Sequence, residues 1–423
     1  MDRKLLRNMV FMSTGKAVSL LGSSVYTFAM SLFVLKLTGS GLSFALTLVL
    51  GTLPIVLINP IAGVIADRID RKLVVVLMDL LNGCFLLGLL LYSTFYELGI
   101  SAIYMSTFIV NIIMVIFDIG LEASIPDIVT ADRLIDMNSI SKVIEASTAV
   151  LGPMLSGFIY AFIDIRIFIA ANAVSFLISA VMEYGVNFKL GTHADDTMGR
   201  QRIRIIKDIK SGMVYMKGKK EIAGAFLFLT VLNFFIGFSV LVPLPYILNN
   251  VLLLGSVNYG IIQAAFPIGA ILGALLIRCR SKDAGYMGIL LKASGALACS
   301  IVFIILPILF QNAGISKIIQ TAYYCMIMSV MGISAAFIDI PLLYMLQVKL
   351  PEDLRGRVLS LGMSLVKTAV PLAFILSGIL LDILPKYVLP LSGGLLLLVY
   401  TIVYRYRAVV IQRDENLPEK III

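Results

Sequence analysis

Histidine is almost absent from the chain, cysteine is scarce, and charge is thin. The one histidine, His193, stands in a polar stretch and reads as a solvated side chain. Four cysteines, Cys84, Cys279, Cys299 and Cys325, lie singly in or at the ends of apolar runs. No Cys-x-x-Cys pair or Cys/His cluster exists, so the sequence offers neither a metal centre nor a disulfide framework. The thiols read as packed side chains in helices. No Ser/His/Asp constellation supports an enzyme, and no cofactor motif is present. A G-x-x-x-x-G-K-[ST] loop for direct use of ATP is also missing; Gly15-Lys16 is followed by Ala17 at the head of an apolar run. Charged residues make up 14% of the chain, against about 25% in a soluble domain. Water is not the main solvent here.

What is present is apolar length. Hydrophobic residues are 60% of 423, and the mean hydropathy is +1.00. A membrane span needs roughly 20 apolar residues. Barrel strands would alternate over about 10 residues, whereas these runs are continuous, so the chain reads as an all-α membrane protein. Twelve spans are expected, at 9–37, 42–65, 73–96, 101–124, 139–162 and 166–188, then 221–248, 258–279, 286–309, 318–345, 358–384 and 387–404. They fall into two six-helix bundles, 1–188 and 221–407, with a polar central loop at 189–220 and a tail at 408–423. Met1-Asp2-Arg3-Lys4 resembles the start of a signal peptide, but the run behind it is too long, and a retained first span is expected.

The net charge of +9 is mostly a topology signal rather than a nucleic-acid footprint. With both termini cytoplasmic, about 26 of the 34 basic residues fall on the cytoplasmic side. An odd number of spans would destroy that asymmetry. The halves also echo each other. Phe117-Asp118-Ile119, Asp132-Arg133-Leu134, Pro153 and Gly157 recur as Phe337-Ile338-Asp339-Ile340, Asp353-Leu354-Arg355, Pro371 and Gly378. Such weak symmetry is the expected trace of a repeat-built transporter, with chance similarity among apolar helices as its rival.

The sharpest motif lies between the second and third spans, from Gly63 through Asp67, Arg68, Asp70 and Arg71 to Lys72. Glycine at a span end admits a neighbouring helix closely. A carboxylate at the membrane edge calls for a cation or a helix N-terminus. This loop resembles the signature G-x-x-x-D-R-x-x-R-K of the major facilitator superfamily, whose members usually have glycine at the position of Asp70. The resemblance covers nearly the whole chain. It implies that the loop latches the outward-facing state near the eleventh helix, where Arg355-Gly356-Arg357 supplies partners. Gly152-Pro153-Met154-Leu155-Ser156-Gly157 looks like the G-P-x-x-G-G motif of drug–proton antiporters, with Ser156 in place of one glycine. Together with Ile125-Pro126-Asp127 and Leu354-Arg355-Gly356-Arg357, it resembles the macrolide-efflux branch, which also includes siderophore exporters. Two departures stand out: the fourth span lacks the arginine many drug antiporters carry, and Lys16 stands where relatives often have glutamine.

Charges inside spans are functional candidates by default. Asp118 and Glu122 share a face of the fourth span; Lys142 and Glu145 share a face of the fifth. Asp339 is the later counterpart of Asp118, and Asp79, Lys292 and Lys367 lie in other spans. A carboxylate shielded from water can exchange a proton during transport; alternatively, Glu122 or Glu145 pairs with Lys142 and merely joins two helices. The expectation is a monomeric secondary transporter in the cell membrane, exporting an amphipathic small molecule in exchange for protons, with the substrate near the midplane. An exporter of a siderophore or other metabolite, a nutrient importer on the same fold, or a non-transporting sensor or scramblase are the alternatives.

Overall fold

The computed structural model describes residues 3–68, 70–130, 133–188, 213–216, 218–278, 286–311 and 314–415. Within them some side chains, including those at 59–68, 142 and 352–357, fall outside the description. Twelve long helices make up the described chain. In order they are α1 Arg3–Thr38, α2 Gly41–Arg68, α3 Arg71–Phe95, α4 Ile100–Ile128, α5 Leu134–Phe162 and α6 Ile165–Tyr184. After the central stretch come α7 Lys220–Ile236, α8 Ser256–Arg278, α9 Tyr286–Phe303, α10 Lys317–Lys349, α11 Glu352–Ile383 and α12 Val388–Glu415. Among the described residues, 11 helical stretches are long and apolar enough to cross a membrane. Several helices overrun their apolar cores. The first begins at Arg3 rather than residue 9, and the last continues to Glu415 rather than 404. Arg and Lys are good helix formers, so the backbone ladder continues where hydrophobicity stops.

The chain divides into two compact units, Met1–Ile205 with Gly255–Gly260, and Ile206–Leu254 with Ile261–Ile423. Within the first, α1 packs on α2, α4, α5 and α6, α3 packs on α4 and α6, and α2 packs on α4. Within the second, α7 packs on α11 and α12, and α9 on α10 and α12. Because lipid is as apolar as leucine, helix association rests on close approach more than on water exclusion. Glycine supplies that approach at the tightest points. A Cβ at Gly83 of α3 would lie 2.6 Å from Leu177 of α6, and one at Gly273 of α8 would lie 2.9 Å from the Ile333 backbone of α10. Met12, Tyr26, Phe117, Phe168 and Phe176 fill the core of the first unit.

The seventh helix is irregular in its second half. Past Ile236 it continues as a π-turn at Gly237–Leu241, an α-turn at Pro243–Tyr246 and a second π-turn at Ile247–Val251. Pro243 and Pro245 cannot donate to the ladder, and wider turns absorb the mismatch on either side. One carbonyl of the first π-turn is satisfied from outside: Ser377 of α11 donates to the Phe238 oxygen at 2.7 Å.

Candidate functional site

The described part of the loop motif is a set of helix-end devices. Asp70 caps α3, its Oδ1 accepting from the backbone N–H of Lys72 at 2.9 Å and of Leu73 at 3.4 Å. Aspartate here supplies the capping oxygen that glycine lacks. Asp70→Ala is expected to lower stability by about 1 kcal/mol, and Asp70→Gly by only a few tenths, in thermal unfolding of the purified protein. Arg71 donates to Asp127 at 2.8 Å, joining the start of α3 to the end of α4. Lys72 donates to the backbone oxygens of Tyr184 at 2.7 Å and Val186 at 3.1 Å. An ammonium at the C-terminus of α6 also meets the negative end of the helix dipole. Asn8 of α1 donates to the oxygens of Ile128 at 3.2 Å and Asn187 at 2.7 Å, and accepts from the Asn187 N–H at 3.0 Å. The side chains of Asp67, Arg68, Arg355 and Arg357 and the packing of Gly63 and Gly356 fall outside the description, as does the latch expected of them.

The second motif sits where α5 crosses α1. A Cβ at Gly152 would lie 2.6 Å from the Ser24 Cβ, so these helices touch nearly backbone to backbone. Pro153 removes one N–H from the ladder. Ser156, fully buried, donates to the Pro153 oxygen at 2.7 Å, and Gly157 beside it is also buried. Serine in place of the motif's glycine therefore binds the proline turn with its hydroxyl.

Three of the intramembrane carboxylates gather around Lys16. This lysine of α1 is fully buried, and its Nζ donates to Ser141 at 2.6 Å and Glu145 at 2.7 Å, both on α5. Asp118 of α4 is 3.4 Å away. Both carboxylates keep partial access to solvent, at 29% for Glu145 and 36% for Asp118. Glu122, one turn along α4, brings its carboxylate oxygen within 4.8 Å of those of Asp118 and Glu145. Among the described residues, three carboxylates around one ammonium leave a formal excess of negative charge. The Lys142 side chain lies outside the described residues, and with it the alternative in which Glu122 or Glu145 pairs with Lys142; the cation shown on Glu145 is Lys16. Spacing along one helix could not show this, because the cation arrives from a third.

Other candidates fall apart from this cluster. Asp339 is exposed on α10 and makes no ion pair among the described residues; Lys292 and Lys367 are exposed. Asp79 is fully buried on α3. Glu183, also fully buried, was passed over in the sequence. It stands next to Tyr184-Gly185 and reads as an end-of-helix residue; only Ser179 four positions earlier hints at a polar face.

Two bundles of long apolar helices, with a capped basic loop between the second and third and a charge cluster inside the first, define a helical membrane transporter. The chain belongs to the family described as transmembrane secretion effector, which matches residues 5–420, within the major facilitator superfamily. It is similar to macrolide efflux protein A of Streptococcus pyogenes, 24% identical over 371 residues, covering 87% of this chain and 88% of that protein. Its fold is shared by a bacterial homologue of the iron transporter ferroportin in its inward-facing state, with a TM-score of 0.67 at 18% identity over 95% of this chain and 99% of that one. The nucleoside transporter NupG gives a TM-score of 0.67 at 14% identity, over 96% of this chain and 98% of that one.

Proposed function

We propose that the protein exports an amphipathic compound of the macrolide kind from the cell in exchange for protons, as a monomer working by alternating access with both termini in the cytoplasm. The observation that carries this reading is the Lys16 cluster. A buried ammonium held by carboxylates from two other helices ties protonation state to helix pairing. When Glu145 takes up a proton, its attraction for Lys16 falls and the Asp118 contact gains in relative strength. Helix α1 then trades a bond to α5 for one to α4. The excess negative charge, partly open to solvent, also favours a substrate that carries an amine. One proton crossing 100 mV supplies about 2.3 kcal/mol, enough to sustain a useful gradient.

The test is flux of a radiolabelled macrolide in proteoliposomes with an imposed pH gradient. Asp118→Asn and Glu145→Gln should each abolish gradient-driven movement while leaving exchange at equal pH measurable. Full gradient-driven flux in both variants refutes the assignment. Movement of macrolide with the proton gradient rather than against it would make the carrier an importer.

A further inference from the structure

A second line of polar side chains runs through the seam of α1, α3 and α6, separate from the Lys16 cluster. It begins at Glu183 of α6, whose Oε1 lies 3.4 Å from the Ser179 hydroxyl one turn away. Ser179 Oγ is 2.9 Å from Ser19 Oγ of α1. The Ser19 hydroxyl in turn donates to Oδ2 of Asp79 on α3. All four residues are buried: Ser19, Asp79, Ser179 and Glu183 each have 0% exposure. The line is continuous, and it joins two carboxylates through two hydroxyls.

The far oxygens of this line have no partner. Asp79 Oδ1 and Glu183 Oε2 are buried without a hydrogen bond, and so are both polar atoms of Asn82, one turn along the Asp79 face of α3. Three cations of the surrounding helices are engaged away from it. On α1, Lys16 reaches α4 and α5; at the start of α3, Arg71 holds Asp127, and Lys72 holds the α6 carbonyls. Neither Asp79 nor Glu183 is ion-paired among the described residues. Two ionised carboxylates sealed together without a cation cost several kcal/mol each. One proton shared between them removes part of that cost and supplies an O–H donor.

Local packing keeps the line intact. A Cβ at Gly15 would lie 2.9 Å from Glu183 Oε1 and 3.1 Å from Ser179 Oγ, so glycine leaves the space the line occupies. Ser179 can also turn its hydroxyl to the Gly15 carbonyl, 3.0 Å away. Turned there it does not donate to Ser19, and the line is broken.

We propose that Glu183, Ser179, Ser19 and Asp79 form a proton relay between α6 and α3, holding one exchangeable proton apart from the Lys16 cluster. In the transfer, the Glu183 O–H bond breaks and its proton passes to Ser179 Oγ. The Ser179 proton passes to Ser19 Oγ, and the Ser19 proton to Asp79. Each hydroxyl is re-formed, one proton has moved from Glu183 to Asp79, and no electrons change hands. The relay itself stands on the seam; only its use in transport rests on the export reading.

Infrared difference spectroscopy on the purified full chain, with transfer into heavy water, tests this directly. The wild type should show the C=O band of a buried carboxylic acid, and Glu183→Gln and Asp79→Asn should each lose intensity from it. Ser179→Ala and Ser19→Ala keep both carboxyl groups, which guards against misfolding of the amide variants. They should retain the band but slow its isotope shift. A band of equal size in wild type and both amide variants overturns the proposal, as does an isotope shift in Ser179→Ala as fast as in wild type. Loss of the wild-type band on adding sodium or calcium ions, with no such loss in Asp79→Asn, would show a metal cation in the seam and also overturn it. Absence of macrolide flux with the band intact refutes the export reading and leaves the relay standing.

Discussion

Lys16→Met is expected to abolish gradient-driven flux and to destabilise the first unit by about 3 kcal/mol, the lower end of the cost of removing one partner of a buried ion pair. The lower end applies because Glu145 and Asp118 retain some solvent, whereas Lys16 has none. Methionine nearly matches the volume of the lysine stem, so the loss reports charge rather than a cavity. Lys16→Gln should be milder, since an amide can still donate to Ser141 and Glu145. Thermal unfolding in detergent separates the two variants. A methionine variant as stable as wild type would mean that the carboxylates need no cation, and the coupling argument built on them would fail.

The crossing of α1 and α5 at Ser24 and Gly152 gives the second large effect. Gly152→Ala places a methyl 2.6 Å from the Ser24 Cβ, closer than real carbon atoms approach, so the helices must part. Overpacking of this kind costs about 1–3 kcal/mol. Because Lys16, Ser141 and Glu145 span the same helix pair, separation also stretches the 2.7 Å bond between Lys16 and Glu145. Transport should therefore fall with stability. Ser24→Ala should not rescue the variant, since the clash includes the Ser24 Cβ, whereas Ser24→Gly should restore both properties. Melting temperature and flux of the double variant decide it; no recovery with Ser24→Gly would place the strain elsewhere.

The helices were legible in the sequence because span length and apolar content are set by the bilayer. Their ends were less so, as Arg3 and Arg405 show: a helix can leave lipid without unwinding. Glycine and proline at 152 and 153 stood out in the sequence as a motif, and the structure places Gly152 against Ser24. Which helix they approach is a tertiary fact with no trace in spacing. The same holds for Lys16. Its position beside Gly15 was noticed, but reasoning from neighbours three or four apart pairs charges on one helix, and this lysine reaches across to two others. Glu183 failed for a different reason. A lone carboxylate at the tail of an apolar run looks like the point where water begins, and only the packed seam shows it fully enclosed. The π-turns of α7 had Pro243 and Pro245 as their sole written signal, and proline alone does not say whether a helix kinks, breaks or widens.

Asn8 and Lys72 grip carbonyls at the ends of α4 and α6, groups that are usually left to water. Fraying is the ordinary way a helix terminus yields under load, and these contacts close off that route. Any rearrangement of the first unit must then carry its tied termini along as a block, so compliance has to come from shifts of entire helices past one another.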